Sequence, residues 1–192
     1  KKIYIKVFNF LSFFYVFIFG RKLFFKLNLL FLKLILKSLG FQNFGNYSFT
    51  GEKNFILNIK KFNLKICLDI GANIGTFSQL LIQNTDCKVF SFEPNKFCFT
   101  NLKKLEKKYL NRIYIYNYAL GNINKNILLY YGSKKSQLAS LTKNLKNISF
   151  IKDSNKNKIL VKCIKLDSFC EKNKKKIKRI DFIKIDTEGH EY

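Results

Sequence analysis

Two carboxylates set around a pair of glycines are the residues of this 192-residue chain best suited to ligand chemistry. Asp69 lies near the end of an apolar run from Leu64 to Ile70, and Gly71 and Gly75 follow directly. A glycine turn after a buried strand lets a ligand approach backbone that a side chain would otherwise shield. Glu93 ends a second apolar run, Lys88-Val-Phe-Ser-Phe-Glu-Pro. It follows Gly75 at close to the ~20 residues expected before a ribose-binding carboxylate. Such a carboxylate accepts from both ribose hydroxyls at once, a charge-assisted geometry that no neutral side chain matches. A third group, Asp186, Glu188 and His190, contains the sole histidine, the natural proton acceptor near neutral pH.

These residues need elements to position them. The run Leu64–Ile70 reads as a buried strand, and Thr76 and Ser78 open a segment with Phe77, Leu80 and Leu81 at helical spacing. Pro94 stops the second strand by removing a backbone donor. Lys96–Tyr109 reads as a helix with Phe99, Leu102 and Leu105 on one face, and Arg112–Asn117 as a third strand. Two more strands, near Asn126–Tyr131 and Lys158–Lys165, flank a polar loop over Lys143–Asn157. Asp167 is expected to cap a short helix through Phe169. Lys172–Arg179 reads as a charged, solvated linker, and Ile180–Ile185 as the fourth parallel strand. The pattern is α/β: a Rossmann-like, doubly wound, mostly parallel sheet with its site at the carboxyl ends of the strands.

The turn itself discriminates between ligands. Asn73 stands where a dinucleotide-binding turn has its middle glycine, and Phe77 is bulky, so a pyrophosphate is poorly served. Asp69 is expected to point negative charge at the site. That suits a cationic sulfonium without phosphate, S-adenosylmethionine (SAM), better than NAD. An NAD(P)-dependent sugar oxidoreductase or epimerase is the alternative enzyme reading.

The segments Asp69-Ile-Gly-Ala-Asn-Ile-Gly75, Phe92-Glu-Pro94, Asn117-Tyr-Ala119 and Asp181-Phe-Ile-Lys-Ile-Asp-Thr-Glu-Gly-His-Glu191 resemble the FkbM family of SAM-dependent methyltransferases. The resemblance runs from about Gly51-Glu52, which is similar to a Gly-Glu pair ahead of the family's first core strand, to the end of the chain. Thr187 departs from the family's commoner Val, though both are β-branched. The resemblance implies a class I methyltransferase fold and transfer of a methyl group to a hydroxyl, as on a sugar, glycan or glycolipid. By this reading Gly71, Asn73 and Gly75 shape the pocket floor and Asp69 lies near the methionyl end. Glu93 holds the ribose, and Asn117 and Ala119 line the adenine edge. Asp186, Glu188 and His190 are the catalytic candidates. Either Asp186 or His190 takes the hydroxyl proton, or Glu188, His190 and Glu191 brace the loop and orient Asp186. Asp69→Ala is expected to weaken SAM binding while leaving the fold intact. The resemblance also implies further C-terminal strands beyond the four core strands read here.

Composition bounds the remaining classes. The net charge is +24, with a pI near 9.9, yet Arg21, Arg112 and Arg179 are the only arginines. Nucleic-acid readers favour the planar fork of Arg. Lysine here accompanies abundant Asn, Ile, Phe and Tyr, as in an AT-rich coding sequence. A nucleic-acid-binding protein or nucleic-acid methyltransferase is therefore the weaker reading, and no specific nucleic-acid partner is expected. Five cysteines form no Cys-x-x-Cys pair and read as reduced thiols, which fits a cytoplasmic enzyme; with one histidine, no metal site is expected. Residues 1–50 form a hydrophobic, basic helical extension ahead of the domain at 51–192. Val7–Gly20 is uncharged and apolar apart from Asn9, Ser12 and Tyr15, but shorter than the ~20 residues of a spanning helix. Leu23–Leu39 mixes apolar residues with Lys26, Lys33 and Lys37 as an amphipathic helix does, with Gly40 as its end. Residues 1–40 are expected either to cover the domain or to make peripheral contact with the inner membrane face.

Overall fold

A computed structural model describes residues 2–39, 51–131 and 157–187. Gly40, nearly all of the expected 143–157 loop, and Glu188, His190 and Glu191 lie outside these residues. The chain divides into two compact units, Lys1–Phe55 and Ile56–Tyr192, so the division falls beyond the expected boundary at residue 50.

The first unit holds helices α1 (Lys2–Phe19) and α2 (Phe25–Ser38), joined by a 3-10 turn at Lys22–Phe24 and bent by 94°. Helix α3 (Gly51–Ile59) straddles the division and went unread in the sequence. It is short, and Glu52, Lys53, Asn54 and Asn58 interrupt its apolar spacing.

The second unit is built on a four-stranded parallel sheet of order β3-β2-β1-β7: β1 Ile66–Ile70, β2 Lys88–Phe92, β3 Ile113–Tyr116 and β7 Phe182–Ile185. Side chains alternate across each strand, so the register sorts residues onto two faces. Cys67, Val89 and Ile113 join Phe77 and Leu81 of helix α4 (Thr76–Asn84) and Leu102 of α5 (Lys96–Lys108) in one core. Leu68, Ile70, Phe90 and Phe92 face the other way and pack with Phe169 of α6 (Leu166–Lys172) and with Ile177. A small second sheet of order β4-β6-β5 is made by β4 (Ala119–Leu120), β5 (Lys125–Tyr131) and β6 (Asn157–Ile164). β5 and β6 run antiparallel, whereas the two-residue β4 lies parallel to β6.

Asp167 does not cap α6. Lys165 occupies the cap position without a side-chain hydrogen bond, and Asp167 falls in the first helical turn, where a negative charge still complements the helix dipole. All five cysteines are free thiols; Cys67, Cys87, Cys98 and Cys163 are buried.

Candidate functional site

The site is assembled by the register of the parallel strands. Asp69 of β1 pairs with Ser91 of β2 on one side and with Lys184 of β7 on the other. The three side chains therefore form a polar row on the face that α4 covers. Asp69 is fully buried. Its Oδ2 accepts from Ser78 Oγ of α4 at 2.5 Å, and Ser78 Oγ lies 2.8 Å from Ser91 Oγ. Its Oδ1 has no hydrogen bond among the described residues but lies 3.3 Å from Lys184 Nζ. A carboxylate enclosed this way requires a countercharge, and Lys184 is that group. Burial alone would lower the Lys184 pKa, but the carboxylates of Asp69 and Asp186 outweigh it and hold the amine above its ordinary value. Lys184 Nζ also donates to the carbonyl of Gly71 at 3.1 Å and lies 3.4 Å from Asp186 Oδ2.

Above this row the chain leaves β1 through Gly71, whose φ of +76° falls in the left-handed region. A Cβ there would sit 1.9 Å from the backbone oxygen of Asp186, so no side chain fits. Asp186 N donates in turn to Ile70 O at 3.0 Å, which seats the end of β7 against the turn. Gly75, at φ +89°, is the N-cap of α4, and a Cβ there would meet Leu102 and Leu105 of α5 at 2.5 Å. Between them Asn73 takes φ +51°, a conformation Asn tolerates better than most residues.

Glu93 stands just past β2 and is 6% exposed. Its Oε2 accepts from Asn73 N and its Oε1 from Asn95 N, both at 2.7 Å. Burial raises its pKa to about 7 against the lowering effect of those two backbone donors. The carboxylate thereby ties the glycine turn to the segment that enters α5. Two buried atoms beside this clamp, Asn73 Oδ1 and Asn95 Nδ2, have no hydrogen-bond partner among the described residues. A buried acceptor and a buried donor left unpaired on the two residues that Glu93 holds are costly unless a partner meets them.

The sequence-derived residues thus fall into distinct places. Gly71, Asn73, Gly75 and Glu93 come together at the carboxyl edge of β1 and β2. Asp186 joins them there and is exposed. Asp69 lies beneath the turn in the buried row, enclosed by Ser78 and Lys184 rather than opening toward a ligand. Its loss would leave a cavity and break the polar row at Ser78 and Lys184, so an intact fold in Asp69→Ala is not expected. Asn117 donates from Nδ2 to the carbonyls of Glu93 (2.7 Å) and Pro94 (3.0 Å), bracing the turn after β2. Ala119 is buried in β4, in register with Cys163. Lys184, Ser78, Ser91 and Asn95 were missed as site residues. The signal for Lys184 is present: it interrupts the apolar strand Phe182-Ile-Lys-Ile, and a lysine on the helix-covered face of a strand calls for an acid beside it.

Residues 69–192 match the methyltransferase FkbM domain. No curated protein matches the chain. Among solved structures, one named as a caffeoyl-CoA O-methyltransferase from Staphylococcus aureus aligns at 19% identity and TM-score 0.33, over 44% of this chain and 41% of that one. Another, named as an S-adenosyl-L-methionine-dependent methyltransferase from Methanococcus maripaludis, aligns at 26% identity and TM-score 0.30, over 36% of this chain and 32% of that one. The chain thus spans less than half the length of either, and at these scores the likenesses carry no argument. The domain match covers more than half of the sequence and contains the glycine turn, Glu93 and the Lys184–Asp186 strand end: the chain belongs to the FkbM methyltransferase family.

Proposed function

We propose that this protein transfers a methyl group from SAM to a hydroxyl of a sugar, glycan or glycolipid. The observation that carries the cofactor reading is the Glu93 clamp with its two orphaned neighbours, Asn73 Oδ1 and Asn95 Nδ2. Each carboxylate oxygen holds one backbone N–H and keeps acceptor capacity for a ribose hydroxyl. Gly71 and Gly75 let the turn close tightly beside it, against the Asp186 backbone and α5, and Asn73 supplies a further acceptor. SAM, when bound, supplies an electrophilic methyl group on a sulfonium. The residues of this chain would orient the two reactants and manage the hydroxyl proton. Asp186 is the described acid at the strand end, exposed and held beside the turn by its own backbone; its side chain also leans on Lys184. As general base it would contribute a typical ~10²–10⁴-fold.

Titration calorimetry of the full chain with SAM and with NAD tests the cofactor. Glu93→Ala should weaken SAM roughly tenfold or more, the loss of a charge-assisted contact worth about 1.5–3 kcal/mol. Binding of NAD in place of SAM would sink the reading. With a glycan acceptor in hand, Asp186→Asn should keep SAM affinity within a few-fold and lower turnover at least ~10²-fold. Unchanged turnover in that variant would move the base to His190.

A further inference from the structure

The first unit exposes an unusual amount of apolar surface. In α1, Ile3, Phe8, Phe10, Leu11, Phe13, Val16 and Phe17 are all more than half exposed, and no residue of α2 is buried. At ~100° per residue these side chains point in every direction around α1. A protein partner would cover one face of such a helix; a lipid phase surrounds all of it. In α2, Lys26, Lys33 and Lys37 fall within about 40° of one another, a single cationic stripe on a largely apolar cylinder. Residues 1–50 contain no Asp or Glu, and Arg21 and Lys22 stand at the bend between the helices.

Neither helix alone is long and apolar enough to cross a membrane. The pair passes that test together, but its axes are bent by 94°, which a straight crossing does not accommodate. The bend is pinned. Asn28 of α2 accepts from Tyr15 Oη at 2.7 Å and donates to the carbonyl of Phe19 at 2.8 Å. Phe19 also packs edge-on against Phe24 across the break.

We propose that α1 and α2 form a monotopic anchor that embeds in the headgroup–acyl boundary of an anionic bilayer. The apolar residues sit among the acyl chains, and Arg21, Lys22 and the Lys26/Lys33/Lys37 stripe lie at the anionic headgroups. Each lysine near such a surface strengthens binding by roughly fivefold. This inference rests on the first unit alone and stands apart from the methyl-transfer reading.

Flotation of the full chain with vesicles of phosphatidylcholine, with and without phosphatidylglycerol, is the test. The wild type should float with the anionic vesicles and far less with the neutral ones. Lys26→Glu/Lys33→Glu/Lys37→Glu should cut anionic-vesicle partitioning at least ~10²-fold. Phe10→Ser/Phe13→Ser/Phe17→Ser, which keeps every charge, should lose binding to both. Far-UV circular dichroism of each variant establishes that the sheet unit is still folded. The proposal is overturned if the wild type stays unbound, or if the triple glutamate variant floats like the wild type. It is also overturned if bound protein resists alkaline extraction as a spanning segment does, or if the helices are buried in a discrete dimer that ignores vesicles.

Discussion

The two faces of the parallel sheet are built from alternate residues of the same strands, yet they are made of different chemistry. Toward α6 the strands present Leu68, Ile70, Phe90 and Phe92, extended by Tyr116 and met edge-on by Phe169 at ring separations near 4.8 Å. Toward α4 the same strands begin apolar, with Cys67, Val89 and Phe182, and then turn polar two residues later at Asp69, Ser91 and Lys184. The aromatic face holds the sheet to its cover by area and ring packing, which tolerate small shifts. The polar row is directional. Through Lys184 it reaches the carbonyl of Gly71, and through Ser78 it fixes the start of α4, so the glycine turn is set from below. The difference locates geometric precision on one face only, at the end of the strands where the site lies.

The strongest way to break this contrast is to unpair the row. Lys184→Ala leaves the fully buried Asp69 carboxylate without its countercharge and should cost ~3–5 kcal/mol of stability. Removing both charges in Asp69→Asn/Lys184→Met should recover at least half of that loss, because neither side is then left uncompensated. Thermal melts of the three proteins decide it. A double variant no more stable than Lys184→Ala would show that the ion pair is not what holds the row. SAM affinity should stay impaired in the recovered double variant, since the Gly71 carbonyl has lost its donor.

A smaller effect is expected where the row meets the turn. Gly71→Ala combines a left-handed φ with a Cβ driven against the Asp186 carbonyl. Strain of this kind costs of order 1–3 kcal/mol. Because the displaced atoms belong to the end of β7, the change should weaken SAM binding more than it lowers the melting temperature. Equal binding by Gly71→Ala and wild type in titration calorimetry would place the ligand elsewhere.

How much of this was legible depended on range. The strand, glycine turn and helix from Leu64 to Leu81 carry their signals in contiguous residues, as does Glu93 before Pro94. The row was not legible, because Asp69 and Lys184 meet only through the pairing of β1 with β7, and no local pattern encodes a partner that distant. Asp69 therefore read as a ligand-facing charge, whereas the structure buries it between Ser78 and Lys184. Helix α3 escaped because Glu52, Lys53, Asn54 and Asn58 interrupt its apolar spacing, and β4 because two residues show no period.

The smallest expected effect sharpens the contrast through pH, because burial pushes the pKa of Glu93 up to about 7. Only the ionised form accepts from two ribose hydroxyls. SAM affinity should therefore rise as pH climbs through 7, by about tenfold between pH 6 and pH 8. Fold stability should move the other way. A carboxyl whose folded pKa is raised contributes its full stability below the unfolded value of 4.5 and loses it as pH rises toward 7. The two trends have opposite signs and one cause, so Glu93→Ala should flatten both. Calorimetric titrations and melts across that window measure them on the same samples. If Glu93→Ala leaves the pH dependence of SAM binding intact, the carboxylate that meets the ribose is not Glu93, and the clamp on Asn73 and Asn95 is only a brace for the turn.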